Sequence, residues 1–147
     1  MPDIASMLRS HPRQSPEADA LARAAAAASH CAQICIVCAD ACLSEKDPRH
    51  LAECIRLDLD CAAICEATTA VLLRTGQPGP QPMQALVAAC SVACKVCAEE
   101  CLKHAQMHEH CRICAEACEA CHDACEEMLK SMRHAGESEG ARKQGRA

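Results

Sequence analysis

Small apolar residues recur every three or four positions in four long stretches of this chain, with charged and polar residues between them. The first stripe is Ala20, Ala24, Ala28, Cys31, Cys35, Cys38 and Cys42. The second is Cys54, Asp58, Cys61, Cys65, Thr68 and Leu72. The third runs through Leu86 or Val87 to Cys90, Cys94, Cys97, Cys101 and His104, with His108 one turn further. The fourth is Cys111, Cys114, Cys118, Cys121, Cys125, Met128 and Met132. Alternating gaps of three and four keep side chains on one face of an α-helix, in the a and d positions of a heptad. Those positions ordinarily hold leucine, and here most hold cysteine.

Punctuation between the stripes sets the expected helix limits. Ser15-Pro16-Glu17 reads as a helix start, with Ser as N-cap, Pro at the first helical position and an acid in the first turn. A first long helix is expected from about Pro16 to about Leu43. Asp47-Pro48 repeats the signal, for a second helix from about Pro48 to about Arg74, capped by Gly76. The segment 76–82 reads as a non-helical loop because of its prolines. A third helix is expected from about Met83 to about Met107, and a fourth from near His108–His110 to about Arg133. Upstream, residues 1–14 carry a possible short helix with Ile4, Met7 and Leu8 on one side. Residues 134–147 read as a disordered tail. The fold class is therefore all-α: an antiparallel four-helix bundle over residues 15–133 with a cysteine-lined core. Counting rise from the loops sets Cys31, Cys61, Cys94 and Cys121 at one level. Cys42, Cys111 and His104 fall near one end, and Leu72, Leu86, Met128 and Ala24 close the other.

Composition sharpens this picture. The 147 residues include 16 cysteines and no Phe, Tyr or Trp. Aromatic rings normally supply the largest buried areas, so this interior is filled differently. A net charge of −5 with both signs interspersed, and no rings for base stacking, argues against nucleic-acid binding. No apolar run is read as reaching the roughly 20 residues of a membrane span. The alanine run Ala24–Ala28 is too short and weakly apolar to read as an export signal. The expected location is the cytoplasm, where thiols stay reduced.

Four chemistries compete for the thiols. Disulfides between positions i and i+4 of one helix would strain the backbone, although cross-helix bridges stay open in an exported protein. The C-x-x-C pairs at 35/38, 94/97, 111/114 and 118/121 match half of a zinc site, and a zinc or cadmium buffer stays open. Iron–sulfur motifs place their cysteines on loops, often before a proline, and no βαβ context supports a dithiol enzyme. Cu(I) fits the stripes best. It is soft, prefers thiolate sulfur and accepts two or three ligands, so a continuous stripe becomes a row of sites. Cys54 and Cys61 lack a partner three or four residues away on one side, and are expected to pair across helices or with Asp58.

The stripes Cys31–Cys42, Cys90–Cys101 and Cys111–Cys125 resemble those of the bacterial copper storage proteins. The resemblance covers about Pro16 to Arg133 and is closer to the cytosolic branch of that family. It implies a four-helix bundle that holds many Cu(I) ions, limits copper toxicity, is not an enzyme and assembles as a homotetramer. Exchange with copper chaperones or small thiols would follow. All sixteen cysteines become candidate ligands, with His104 and His108 as capture ligands at an open end. Asp58 interrupts its stripe and reads either as a ligand or partner near the mouth or as an exposed residue. His30, His110 and His122 sit next to cysteines in sequence and so read as facing outward. Met128, Met132, Met107 and Met83 read first as core filling.

Overall fold

The computed structural model describes residues 1–74 and 80–145. Among the described residues all regular structure is helical: α1 (Ile4–Arg9), α2 (Ala18–Leu43), α3 (Ala52–Leu72), α4 (Pro80–Leu102) and α5 (Glu109–Gln144), with a 3-10 turn at Pro48–Leu51 before α3. Each long helix packs against two others, α2 on α3 and α5, and α4 on α3 and α5. The result is the expected four-helix bundle. Its stripes face one axis because that is the only surface on which the apolar positions of all four helices can be buried together.

Both start signals act, each through a turn before its α-helix. Ser15 Oγ accepts the Glu17 N–H at 3.2 Å, and α2 begins at Ala18. Asp47 Oδ1 accepts the Arg49 N–H at 3.3 Å. Pro48 then opens a 3-10 turn, and α3 itself starts only at Ala52. At α1, Asp3 caps the helix and only Leu8 is buried, while Ile4 and Met7 are exposed.

Three further boundaries differ from the sequence reading. The expected loop over 76–82 is cut short, because α4 already begins at Pro80. Pro80 and Pro82 sit in the first turn, where a missing N–H leaves no intrahelical bond unmade. Gly76 lies outside the described residues. At its other end α4 stops at Leu102 rather than near Met107. Residues 103–107 reverse the chain in tight turns, the Lys103 and His104 N–H groups donating to the Glu100 and Cys101 carbonyls at 3.1 and 3.0 Å. This lifts His104 off the helix and over the bundle end. Finally, α5 runs to Gln144, through residues expected to be a disordered tail. Its last turn carries Arg142 and Lys143, whose charges suit the helix C-terminus. Gly136 and Gly140 face open space and ask nothing of packing.

One further expectation is corrected. α2 is, by length and composition alone, apolar enough to cross a membrane. Its buried face is spent inside the bundle: Ala24, Ala28, Cys31, Cys35, Cys38 and Cys42 are all 0–3% exposed.

The core is unusual in what it lacks. The largest fully buried side chains are Leu51, Leu72, Met128 and Val87, followed by Thr68, Asp58 and then cysteines. Leu72 and Met128 follow the last thiols of their stripes, Val87 precedes the first of its own, and together they close one end with apolar groups, Val87 taking the place offered to Leu86 or Val87. Thr68 is tolerated there because its hydroxyl donates to the Ile64 carbonyl at 2.7 Å. With so few large apolar groups, each carries a large share of apo stability. Leu72→Ala should destabilise the reduced apo protein by about 2–5 kcal/mol. Denaturant unfolding under reducing conditions checks this, and the same change at exposed Leu59 should cost far less.

Candidate metal centre

All sixteen cysteines of the stripes are buried as free thiols. They form one connected column. From the hydrocarbon end, Cys65 lies 3.7 Å from both Cys90 and Cys94. Cys94 lies 3.7 Å from Cys61, which lies 4.0 Å from Cys31. Cys118 lies 3.7 Å from both Cys31 and Cys35, and Cys114 lies 3.7 Å from Cys35. These contacts join all four helices, so the level of Cys31, Cys61 and Cys94 read from loop counting is also the observed one. Cys54 lies 3.6 Å from Cys101, which makes the cross-helix pair expected for a cysteine lacking a neighbour on its own helix.

The column is divided into overlapping quartets. Within each, the donor atoms lie within 4.8 Å of one another: Cys31, Cys65, Cys94 and Cys121; Cys31, Cys35, Cys61 and Cys118; Cys35, Cys97, Cys114 and Cys118; Cys38, Cys42, Cys54 and Cys111. Shared members matter more than the number four. A thiolate that belongs to two neighbouring groups can bridge two soft ions, which suits a row of low-coordinate sites better than isolated tetrahedral ones.

Asp58 is 0% exposed, which removes the exposed alternative. Its Oδ1 accepts from the Cys97 and Cys114 thiols at 3.1 and 3.2 Å and from Cys101 at 3.6 Å, while Cys54 donates to Oδ2 at 4.0 Å. It shares a further group with Cys38, Cys54 and Cys101. Burial, with Cys97 and Cys38 adding to it, pushes its pKa up from 3.8 to about 10. A carboxyl with thiols around it and no cation keeps its proton.

The thiols obey the same rule. Burial raises Cys111 to about 11 and holds Cys42 well above the usual thiol range. Neighbouring thiols compete for protons: the Cys118 contact lowers Cys31, while contacts with Cys114 and then Cys31 raise Cys118. The column therefore cannot ionise throughout by itself. A soft cation that replaces the shared protons removes the conflict.

The open end is built of imidazoles and carboxylates. His104 Nε2 meets Glu100 Oε1 at 3.3 Å, and Lys103 pairs with the same carboxylate at 2.9 Å. His108 Nδ1 meets Glu45 Oε1 at 3.3 Å, which leaves Nε2 as the ring nitrogen turned away from the carboxylate. That Nε2 is buried without a hydrogen-bond partner. Both histidines chosen from sequence thus lie at the end that the stripes indicated.

Two more histidines join them that the sequence reading missed. His110 was expected to face outward. Instead its Nδ1 lies 3.5, 3.6 and 3.9 Å from the sulfurs of Cys111, Cys38 and Cys42, and its Nε2 meets Glu45 at 3.1 Å. The outward-facing rule holds within a regular helix. His110 occupies the first turn of α5, where its ring folds back over the open end. Burial lowers its pKa, but the Cys38 and Glu45 contacts outweigh this and raise it. His50 had no signal at all. It stands on the 3-10 turn with its ring 6.2 Å from His104 and 6.1 Å from His108. Only the fold brings it there.

His122 also departs from expectation. It is half-buried between α4 and α5, where its Nδ1 donates to the Ser91 carbonyl at 3.0 Å, and Ser91 Oγ donates to Glu126 at 2.6 Å. This clamps two helices on the outside of the bundle, away from the sulfur column. His30 is exposed, as expected.

Four helices that present thiols to one another around a single axis define a soft-metal-binding helical bundle. A profile of copper storage proteins matches residues 17–130, and the chain belongs to that family. Among solved structures it is similar to the copper storage protein Ccsp of Streptomyces lividans loaded with 10 copper equivalents. Identity is 45% over 87% of this chain and 98% of that one, with a TM-score of 0.85. A cytosolic copper storage protein from Streptomyces lividans with five coppers is 49% identical, over 76% of this chain and 93% of that one, with a TM-score of 0.75. The uncharacterized cysteine-rich protein YhjQ of Bacillus subtilis is 38% identical over 89 residues, 58% of this chain and 73% of its own.

The raised Asp58 pKa carries a pH signature. The folded apo protein holds this proton to higher pH than the unfolded chain, so the associated stability is full below about 3.8 and is lost as pH rises toward about 10. Between weakly acidic and mildly alkaline pH, the urea midpoint of reduced apo protein should fall, and Asp58→Asn should flatten that slope. An Asn variant that keeps the wild-type slope would contradict the assignment.

Proposed function

We propose that this chain stores and sequesters multiple Cu(I) ions on the thiolates of its sulfur column and thereby limits copper toxicity. The observation that carries the reading is the continuity of the column. Sixteen buried free thiols in overlapping groups provide a row of low-coordinate soft sites, which a structural zinc protein does not need. The proposed ligands are Cys31, Cys35, Cys38, Cys42, Cys54, Cys61, Cys65, Cys90, Cys94, Cys97, Cys101, Cys111, Cys114, Cys118, Cys121 and Cys125. Asp58 joins them at the level of Cys97, Cys101 and Cys114.

His104 and His108 receive copper at the open end and pass it inward. The bare, buried Nε2 of His108 supports this, and His110 bridges the imidazoles to Cys38, Cys42 and Cys111. Imidazole is the intermediate ligand in this series, firm enough to capture the ion and soft enough to yield it to thiolate. Each captured ion displaces thiol protons, so loading releases acid.

The copper storage family has a non-enzymatic role, and the proposed activity here is storage without turnover. The cytoplasm is the proposed location, in line with reduced thiols and the cytosolic relative. A homotetramer is the proposed assembly. Exposed Val37, Leu59 and Val92, with a cavity of about 510 Å³ between α3 and α4, offer apolar surface that such an assembly would cover. Copper chaperones or small thiols are the proposed exchange partners.

Anaerobic titration of fully reduced protein with Cu(I), against a competing chelator and followed by gel filtration, tests the reading. Uptake should be tight and reach at least roughly one ion per cysteine pair, with a matching rise in thermal stability. Retention of only a few ions, or zinc that holds its sites against Cu(I), would replace storage by discrete structural sites. His104→Ala with His108→Ala should slow loading and leave capacity nearly intact.

A further inference from the structure

At the mouth, one carboxylate oxygen has two imidazole partners. Glu45 Oε1 lies 3.3 Å from His108 Nδ1 and 3.1 Å from His110 Nε2. The two rings stack, with centroids 5.3 Å apart. Glu100, which also stands at the mouth, divides its two oxygens between His104 and Lys103. Glu45 instead meets both rings with the same oxygen, and meets them through different nitrogens. The nitrogen that each ring keeps free therefore differs too. His108 keeps Nε2, which is buried without a hydrogen-bond partner. His110 keeps Nδ1, which faces the sulfurs of Cys111, Cys38 and Cys42 at 3.5, 3.6 and 3.9 Å.

The backbone holds both sides of this contact in place. The Glu45 N–H donates to the Cys42 carbonyl at 3.3 Å, so the carboxylate and the Cys42 thiol leave the same turn at the end of α2. His108 occupies the N-cap of α5, where Ser, Thr, Asp and Asn are favoured because they bond to free N–H groups of the first turn. Its side chain makes no such bond. The position serves Glu45 rather than the helix. An ionised carboxylate only accepts hydrogen bonds, and the His110 contact, with His108 beside it, holds the Glu45 carboxyl below its usual range. Both nitrogens that face it are therefore N–H donors. A neutral imidazole has one N–H and one lone pair, so the lone pair falls on the far nitrogen of each ring.

We propose that Glu45 is the positioning residue of the mouth: by accepting from both rings it fixes opposite tautomers, so that His108 presents its Nε2 lone pair and His110 its Nδ1 lone pair to incoming Cu(I). The inference rests on the storage reading. The ion can bind either nitrogen without displacing the ring proton that Glu45 holds, and both rings are oriented before it arrives. With the tautomers reversed, an N–H would occupy each site. Carboxylates hydrogen-bonded in this way orient metal-binding imidazoles and raise their basicity. Because Glu45 stands on the α2 side and both histidines begin α5, one side chain sets the far nitrogens of two rings at once.

The test has two arms, both on the full reduced chain without oxygen. The first contains no copper. Heteronuclear NMR of the histidine rings, at a pH where the spectra show neutral imidazoles, should give His108 as the Nδ1–H form and His110 as the Nε2–H form. Glu45→Ala should lose the Nδ1–H form of His108. Wild-type His108 in the Nε2–H form, or ring forms unchanged in Glu45→Ala, would overturn the proposal. In the second arm Cu(I) is delivered from a chelator and loading is timed. Glu45→Ala should load about 10-fold more slowly, with capacity unchanged. Glu45→Gln keeps an acceptor oxygen in place without the charge, and should restore most of the rate. Glu45→Asp keeps the charge but withdraws the oxygen by one methylene, and should stay slow. Rescue by Asp and not by Gln would reduce Glu45 to an attractive surface charge and overturn its positioning role. Wild-type copper capacity reports separately on storage, and the NMR arm needs no copper, so a failure of storage is distinguishable from a failure of this inference.

Discussion

The structure depends on keeping sixteen thiols out of water with no positive charge along the column, His110 touching only its open end. Burial alone is easy while each sulfur keeps its proton, because cysteine then behaves as a small hydrophobe. Ionisation is the difficulty. Each thiolate formed in the column would face other sulfurs across 3.6–4.0 Å, and the one carboxyl among them, Asp58, stays protonated for the same reason. The apo core is thus a store of unrealised ligands. Soft monovalent ions relieve the electrostatic conflict and leave the packing frame in place.

This constraint explains the rest of the core. Filling with large apolar side chains would separate the helices and break sulfur contact. Alanine and cysteine let them approach, and the few large groups, Leu51, Leu72, Val87 and Met128, are kept to the two ends of the column. The loss in apolar burial is considerable, since an aromatic side chain can bury 150–250 Å². Linkage supplies a compensation. Any ion bound only by the folded chain adds to its stability, so the loaded protein is expected to be much firmer than the apo form.

The two ends of the column then differ in chemistry. Imidazole and carboxylate gather at one, where His104, His108 and His110 meet Glu45 and Glu100. Leu72, Val87 and Met128 gather at the other. Such polarity is hard to obtain in a bundle with four equivalent faces. It follows here from the register of the stripes, because each helix places its thiols between a polar loop and a hydrocarbon cap.

Much of this was legible in the sequence because helical periodicity is a local property. Gaps of three and four fix which side chains share a face, and four such faces with short connections admit few arrangements other than a bundle. The stripes and the levels of Cys31, Cys61 and Cys94 follow from that counting, which also sets His104 and His108 at the right end, although α4 ends at Leu102 and neither residue continues its stripe. What the sequence could not determine depends on chain paths outside regular helix or on contacts between elements. His50 reaches the mouth only through the 3-10 turn at Pro48–Leu51, and His110 turns inward because it begins α5. The burial of Asp58 was decided by Cys97, Cys101 and Cys114 on two other helices. Periodicity tells a residue which way to face, and the tertiary structure alone decides what it will find there.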